Sequence, residues 1–172
     1  LDGLHVVLGV DRAGLVGADG ETHHGCFDAL YLSQVPHMTV LCPASFAELR
    51  QMLRRAVLEL TGPVAVRYPR GGEGAYQDCC GNETFTQVRP GADCTILTYG
   101  VLINEALAAA ELLHEAGVET RVVKLNAIAP LDGNAVLAAL GSEKRLLVLE
   151  DCVGCGCVGQ RLTAILAQRG RM

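Results

Sequence analysis

Arg12, Asp19, His23 and Arg70 are the side chains whose types and positions could do chemistry. The first three share one stretch, DRAGLVGADGETHHGCFD (residues 11–28), directly behind an apolar run at 6–10; Arg70 follows a second apolar run at 64–68. Arginine presents paired N–H donors that match phosphate or carboxylate oxygens, so two arginines at one sheet edge would clamp such an anion. The same spacing permits two surface arginines paired with Asp11 and Glu73. His23 lies four residues beyond Asp19 in a glycine loop, where an imidazole can exchange a proton near neutral pH and a carboxylate can orient it. A solvated loop histidine fits that pattern too, and His24 is given no role.

The glycines of this stretch (Gly14, Gly17, Gly20, Gly25) match neither the dinucleotide fingerprint nor the P-loop. Among the eight cysteines, Cys152-x-x-Cys155-x-Cys157 with Cys79-Cys80 resembles a metal or redox cluster. Structural zinc wants paired knuckles, and here the second pair is vicinal and far upstream. Small residues in a tight loop explain the pattern better, so no metal is expected. Gly154, Gly156 and Gly159 could free N–H groups for an anion, or simply allow close helix–sheet packing. The cysteine spacing is unlike a secreted scaffold, which points to reduced thiols and a cytoplasmic chain.

These residues need elements to hold them. Half of the 172 residues are apolar and aromatics are scarce, which suits helices packed on parallel sheets. A net charge of −5 without a basic run excludes a nucleic-acid footprint, and no apolar segment approaches the ~20 residues of a membrane span. Strands are predicted at 6–10, 39–42 and 64–68. Between them lie helices at 27–35 and from Ser45, whose S-x-x-E pattern is a capping box. The second helix would turn Phe46, Leu49, Leu53, Val57 and Leu60 inward and Glu48, Arg50, Gln51, Arg54, Arg55 and Glu59 outward. Residues 71–91 lose the rhythm. It resumes with strands at 94–99, 118–125 and 145–149, and helices at 102–116, 134–140 (closed by Gly141) and 158–168. Residues 126–132 read as a loop. The expected fold is α/β: two small β/α layers with mainly parallel sheets, divided as 1–75, a linker at 76–91, and 92–172. Opening at Leu1 and stopping at Met172, the chain reads as a piece of a longer protein.

The stretch 11–28 resembles the signature in the pyrimidine-binding domain of the 1-deoxy-D-xylulose-5-phosphate synthases, thiamine diphosphate enzymes of the transketolase superfamily. The likeness continues through Tyr31-Leu32, Pro36-His37-Met38, Cys42-Pro43, Glu48 to Leu53 and Gly62 to Gly71. The second half is similar to the superfamily's C-terminal domain at Leu97-Thr98-Tyr99-Gly100, Ile128 to Asp132 and Leu149-Glu150-Asp151. The resemblance implies the end of a pyrimidine-binding domain followed by a transketolase C-terminal-like domain. It implies a homodimeric transferase that condenses pyruvate with glyceraldehyde 3-phosphate and releases carbon dioxide, for isoprenoid, thiamine and pyridoxal synthesis. Arg12 and Arg70 would hold the aldehyde's phosphate, Asp19 would bond a substrate hydroxyl, and His23 would serve as proton donor or acceptor. The likeness covers neither the domain that grips the diphosphate through Mg²⁺ nor the cofactor-activating glutamate. The section alone is therefore expected to be inactive and to bind neither thiamine diphosphate nor metal. Within the superfamily, a transketolase or a 2-oxo-acid dehydrogenase β-type subunit is the alternative; outside catalysis, an assembly module is.

Overall fold

A computed structural model describes residues 3–140 and 145–170. Leu1, Gly141 and Met172 lie outside the described residues. Two four-stranded sheets carry the fold. The first is built by β1 (Val7–Val10), β2 (Thr39–Leu41) and β3 (Val64–Arg67), with β3 central and parallel to both neighbours. β3 is buried along its whole length, as a continuous Val-Ala-Val core strand should be. Helix α1 (Asp28–Ser33) and helix α2 (Phe46–Leu58) form the crossovers.

The second sheet runs in the order β4 (Phe85–Arg89), β6 (Thr120–Leu125), β5 (Cys94–Tyr99), β8 (Leu146–Leu149). β5 is parallel to β6 and β8, and β4 is antiparallel to β6. Helix α3 (Ile103–Glu115) links β5 to β6; α4 (Gly133–Leu140) and α5 (Val158–Gln168) flank β8 in sequence. α3 ends in a Schellman motif, with Gly117 at φ 80° donating to His114 O and Val118 to Leu113 O.

Two segments differ from the sequence reading. β4 falls inside the stretch read as linker; it is a half-buried edge strand, so its alternation is faint. Within the stretch read as a loop, β7 (Ala127–Ala129) pairs antiparallel with β2 and completes the first sheet. Three residues are too few to show a period, yet all three are buried.

The two sheets therefore share a core. Its largest cluster joins Ala29, Leu32, Val40 and Ala65 of the first half to Leu97, Tyr99, Val123, Leu125, Val136 and Leu162 of the second. Strand alternation then assigns the charged residues. Ala65 and Arg67 share one face of β3, so Arg67 enters the shared core; Val122 and Lys124 share the opposite face of β6 from Val123 and Leu125.

α2 is rotated from the expected orientation. Glu48, Met52 and Ala56 are buried, whereas Phe46 and Val57 are exposed. Ser45 Oγ accepts from Glu48 N–H at 3.1 Å, as the capping pattern requires. The Glu48 carboxylate, however, accepts from Ala44 N–H and faces inward. Its reason for doing so comes from β6: Lys124 Nζ lies 3.0 Å from Glu48 Oε2, and both side chains are 0% exposed. Tyr76 O–H donates to Glu48 Oε1 at 2.9 Å, and Lys124 also donates to Asn126 Oδ1.

Candidate active site

The parallel pairing of β1 with β3 brings their carboxyl ends side by side, with Val10 opposite Arg67. Arg12 lies just beyond one end and Arg70 just beyond the other, so both reach the same edge. This is where open α/β sheets bind ligands. Ala13 N–H donates to Tyr68 O at 3.0 Å, continuing the contact past the strands. Arg12 itself takes φ 55°, a left-handed conformation rare for a residue with a Cβ.

The loop that follows is closed at its base. Gly14 and Gly25 exchange backbone hydrogen bonds of 3.2 and 2.8 Å. Neither tolerates a side chain: a Cβ on Gly25 would stand 2.3 Å from Arg12 O, and one on Gly14 1.7 Å from Asp151 Oδ2. Higher in the loop, His24 Nδ1 accepts from Val16 N–H at 2.8 Å. His24, without a role in the sequence reading, pins the loop.

Between these anchors, the short 3₁₀ turn Gly17–Asp19 presents Asp19 to both arginines. Arg12 Nε donates to Asp19 Oδ2 at 2.7 Å, and Arg70 Nη1 pairs with Asp19 Oδ1. Arg12 also pairs with Asp11. The hydrogen bond from Arg12 holds the Asp19 carboxyl below the usual carboxylate range, and the charge of Arg70 acts in the same direction. Asp11 is thus one of the partners the spacing permitted. Glu73, the other, turns elsewhere: its Oε2 accepts from Phe46 N–H at the start of α2. The structure brings Arg12, Asp19 and Arg70 together. His23 is exposed, with Nδ1 2.9 Å from Thr22 Oγ1. Residues 15–18 and 69–71 line an open cleft of about 500 Å³ beside Arg70.

A second charged group supports this edge from beneath. Arg67, 4% exposed, donates Nε to Asp28 Oδ1 at 2.9 Å and lies 5.3 Å from the centroid of the Tyr99 ring. Its Nη2 is 3.8 Å from Asp151 Oδ1. Burial pushes the Asp28 carboxyl up despite Arg67, and Asp28 Oδ2 finds no hydrogen-bond partner among the described residues. Sequence reasoning passed over this pair; an arginine ending a buried Val-Ala-Val run was its available signal.

The cysteine loop has a local explanation. The Cys157 Sγ caps α5 by accepting from Gln160 N–H at 3.3 Å. Cys152 donates to Glu150 Oε2 at 3.3 Å, and burial pushes its thiol up to about 12. Glu150 also accepts from Val158 and Gly159 N–H at 3.0 and 2.8 Å, so the freed helix N–H groups serve a carboxylate of the chain itself. Among the described residues, no group of three or more His, Cys, Asp or Glu could hold a metal ion.

Fold and site together define an α/β protein of two mostly parallel sheet units, with the Arg12–Asp19–Arg70 ion pairs at the strand ends of the first. Residues 1–73 match the family model for the transketolase pyrimidine binding domain, and residues 84–171 that for the transketolase C-terminal domain. The chain belongs to the transketolase family. The 1-deoxy-D-xylulose-5-phosphate synthase of Bacillus licheniformis is 42% identical over 164 residues, covering 92% of this chain and 26% of the relative. That of Chlorobaculum tepidum is 41% identical over 160 residues, covering 88% and 25%. This chain thus spans about a quarter of the length of those relatives. A solved structure described as a split-gene transketolase, inactive beta4 tetramer, superposes with a TM-score of 0.81 at 26% identity, covering 94% of this chain and 53% of that one.

Proposed function

We propose that this chain is the end of the pyrimidine-binding domain and the C-terminal domain of a 1-deoxy-D-xylulose-5-phosphate synthase. This thiamine diphosphate-dependent transferase condenses pyruvate with glyceraldehyde 3-phosphate and releases carbon dioxide. The observation that carries this reading is the convergence of Arg12 and Arg70 on one carboxylate at the sheet edge. Two guanidinium groups that meet two oxygens of a carboxylate can meet two oxygens of a phosphate ester. In this reading Arg12 and Arg70 hold the aldehyde's phosphate, and Asp19 bonds its hydroxyl. His23, exposed on the same loop, exchanges a proton at the reacting carbon. We further propose two domains, 1–75 and 92–172, joined by the segment 76–91, whose strand β4 pairs with β6 of the second, and a cytoplasmic homodimer as the working form. Among the described residues no helix is long and apolar enough to cross a membrane.

Thiamine diphosphate would supply the carbanion in the whole enzyme. In this reading its diphosphate and Mg²⁺ are held by a part of the enzyme that the likeness of this chain does not cover. No residue of this chain is assigned to the cofactor. The reading tests directly in the complete enzyme. Arg70→Ala removes a charge-assisted contact of about 1.5–3 kcal/mol, so KM for glyceraldehyde 3-phosphate should rise roughly 10- to 100-fold, while KM for pyruvate holds. An unchanged KM for the phosphorylated substrate would exclude the clamp.

A further inference from the structure

The two arginines of the clamp already hold an anion. Each Asp19 oxygen takes one guanidinium group, as two phosphate oxygens would. The Asp19 side chain is 14% exposed while that of Arg70 is 49% exposed, so the carboxylate is tucked in and the cation reaches solvent. Asp11 takes a further nitrogen of Arg12. Two cations thus face two anions, and the edge carries no surplus positive charge for an incoming ligand.

We propose that Asp19 is an internal occupant of the clamp that sets its specificity. It keeps free carboxylates out and yields only to a phosphate dianion. The inference rests on the clamp reading above. A tethered carboxylate competes at an effective concentration of order millimolar or higher without paying for lost translation. A free carboxylate monoanion such as pyruvate offers the arginines the same two oxygens and the same charge, so it cannot displace Asp19 at similar concentration. A phosphate dianion brings twice the charge and a third oxygen. The turn that carries Asp19 is loosely surrounded: apart from their chain neighbours, flanking Gly17 and Gly20 have no atoms within 4 Å of where a Cβ would stand. The fixed points lie outside it, at Gly14–Gly25 and Val16–His24. An enzyme with one carboxylate and one phosphorylated substrate needs this discrimination, because pyruvate seated in the phosphate clamp would block the aldehyde.

The test titrates inorganic phosphate and, separately, pyruvate into the complete enzyme without cofactor by calorimetry, for wild type, Asp19→Asn, Asp19→Glu and Arg70→Ala. Circular dichroism checks each fold. Wild type should bind phosphate and show no pyruvate heat. Asp19→Asn should bind phosphate on the order of tenfold tighter, as expected for removal of one charge-assisted competitor, and should gain pyruvate binding. Asp19→Glu should restore the exclusion of pyruvate. If Asp19→Asn binds phosphate as wild type does and still rejects pyruvate, the occupant role is overturned while the clamp stands. If phosphate binds none of the variants, or binds Arg70→Ala undiminished, the clamp itself falls and the occupant with it.

Discussion

Replacing Lys124 by methionine tests how the two halves are held together. Lys124 Nζ and Glu48 Oε2 lie 3.0 Å apart with both side chains at 0% exposure, and the partners are 76 positions apart in sequence. Removing the ammonium leaves a buried carboxylate whose remaining contacts come from neutral donors, Ala44 N–H at 2.8 Å and Tyr76 O–H at 2.9 Å. Breaking a buried pair in this way costs about 3–5 kcal/mol, because desolvation of the surviving charge is no longer offset. In a chain of this size each kcal/mol moves Tm by about 2–4 °C, so a loss of roughly 6–20 °C is expected. Glu48→Gln strands the ammonium instead and should cost a similar amount. The double variant Glu48→Gln/Lys124→Met strands neither charge and should lie within about 2 kcal/mol of wild type. Urea and thermal unfolding of all four proteins close the cycle. Additive single losses, or a Lys124→Met loss under about 1 kcal/mol, would refute the argument that the charges need each other.

Gly25→Ala puts a Cβ against backbone at 2.3 Å, so overpacking should cost about 1–3 kcal/mol and push Arg12 out of place. Phosphate affinity should fall with it, and normal binding by a stable Gly25→Ala chain would deny the loop base its positioning role. Glu150→Gln should cost about 1 kcal/mol at pH 7, because a charge is lost at the start of α5. Burial works against the Glu150 carboxylate, but hydrogen bonds from Gly159, Cys157, Cys152 and Tyr99 outweigh it and hold its pKa below the ordinary 4.5. Its contribution is therefore present above pH 4.5 and lost as pH falls through the lower folded value. The Tm gap between wild type and Glu150→Gln should shrink on acidification through that window, and a constant gap would count against the charge. Ellman's reagent should label exposed Cys79 and Cys155 in the native chain, whereas Cys42, fully buried with its thiol pushed up to about 11, should react only on unfolding. Native labelling of Cys42 would show that this core opens readily.

Where the deciding forces are local, the residues announce themselves. The Ser45 cap, the Gly117 stop and the apolar run of β3 each act within a few residues, and each was legible. That Arg12 and Arg70 reach one sheet edge was legible as well, because two parallel strand ends limit where their side chains can go. The face of α2 was not. A period of 3.6 fits Leu49 and Leu53 to either rotation, and a glutamate reads as solvated until its partner is known. That partner, Lys124, is itself disguised in a strand that otherwise reads as plain core. β7 failed for a related reason: its three residues gain their structure from β2, far away in sequence.

The same long-range contacts couple the second half to the proposed clamp, whose charges it does not supply. Asp151 fills the space left by the missing side chain of Gly14, and it faces Arg67 across 3.8 Å. Val153 N–H donates to Cys26 O at 3.0 Å, next to Gly25 at the loop base. The loop between β8 and α5 therefore presses on both closing points of the Asp19 loop. Arg67 completes the arrangement from below: its Nη2 is 3.4 Å from Gly25 O, and its charge is matched by Asp28 at the start of α1. A guanidinium buried there would be costly unless it organised several partners at once. It does so by joining α1, β3, the Gly25 turn and the Asp151 loop into one support. Arg67→Met should thus weaken phosphate binding at Arg12 and Arg70 without touching either, and unaltered phosphate affinity in a folded Arg67→Met chain would sever that link.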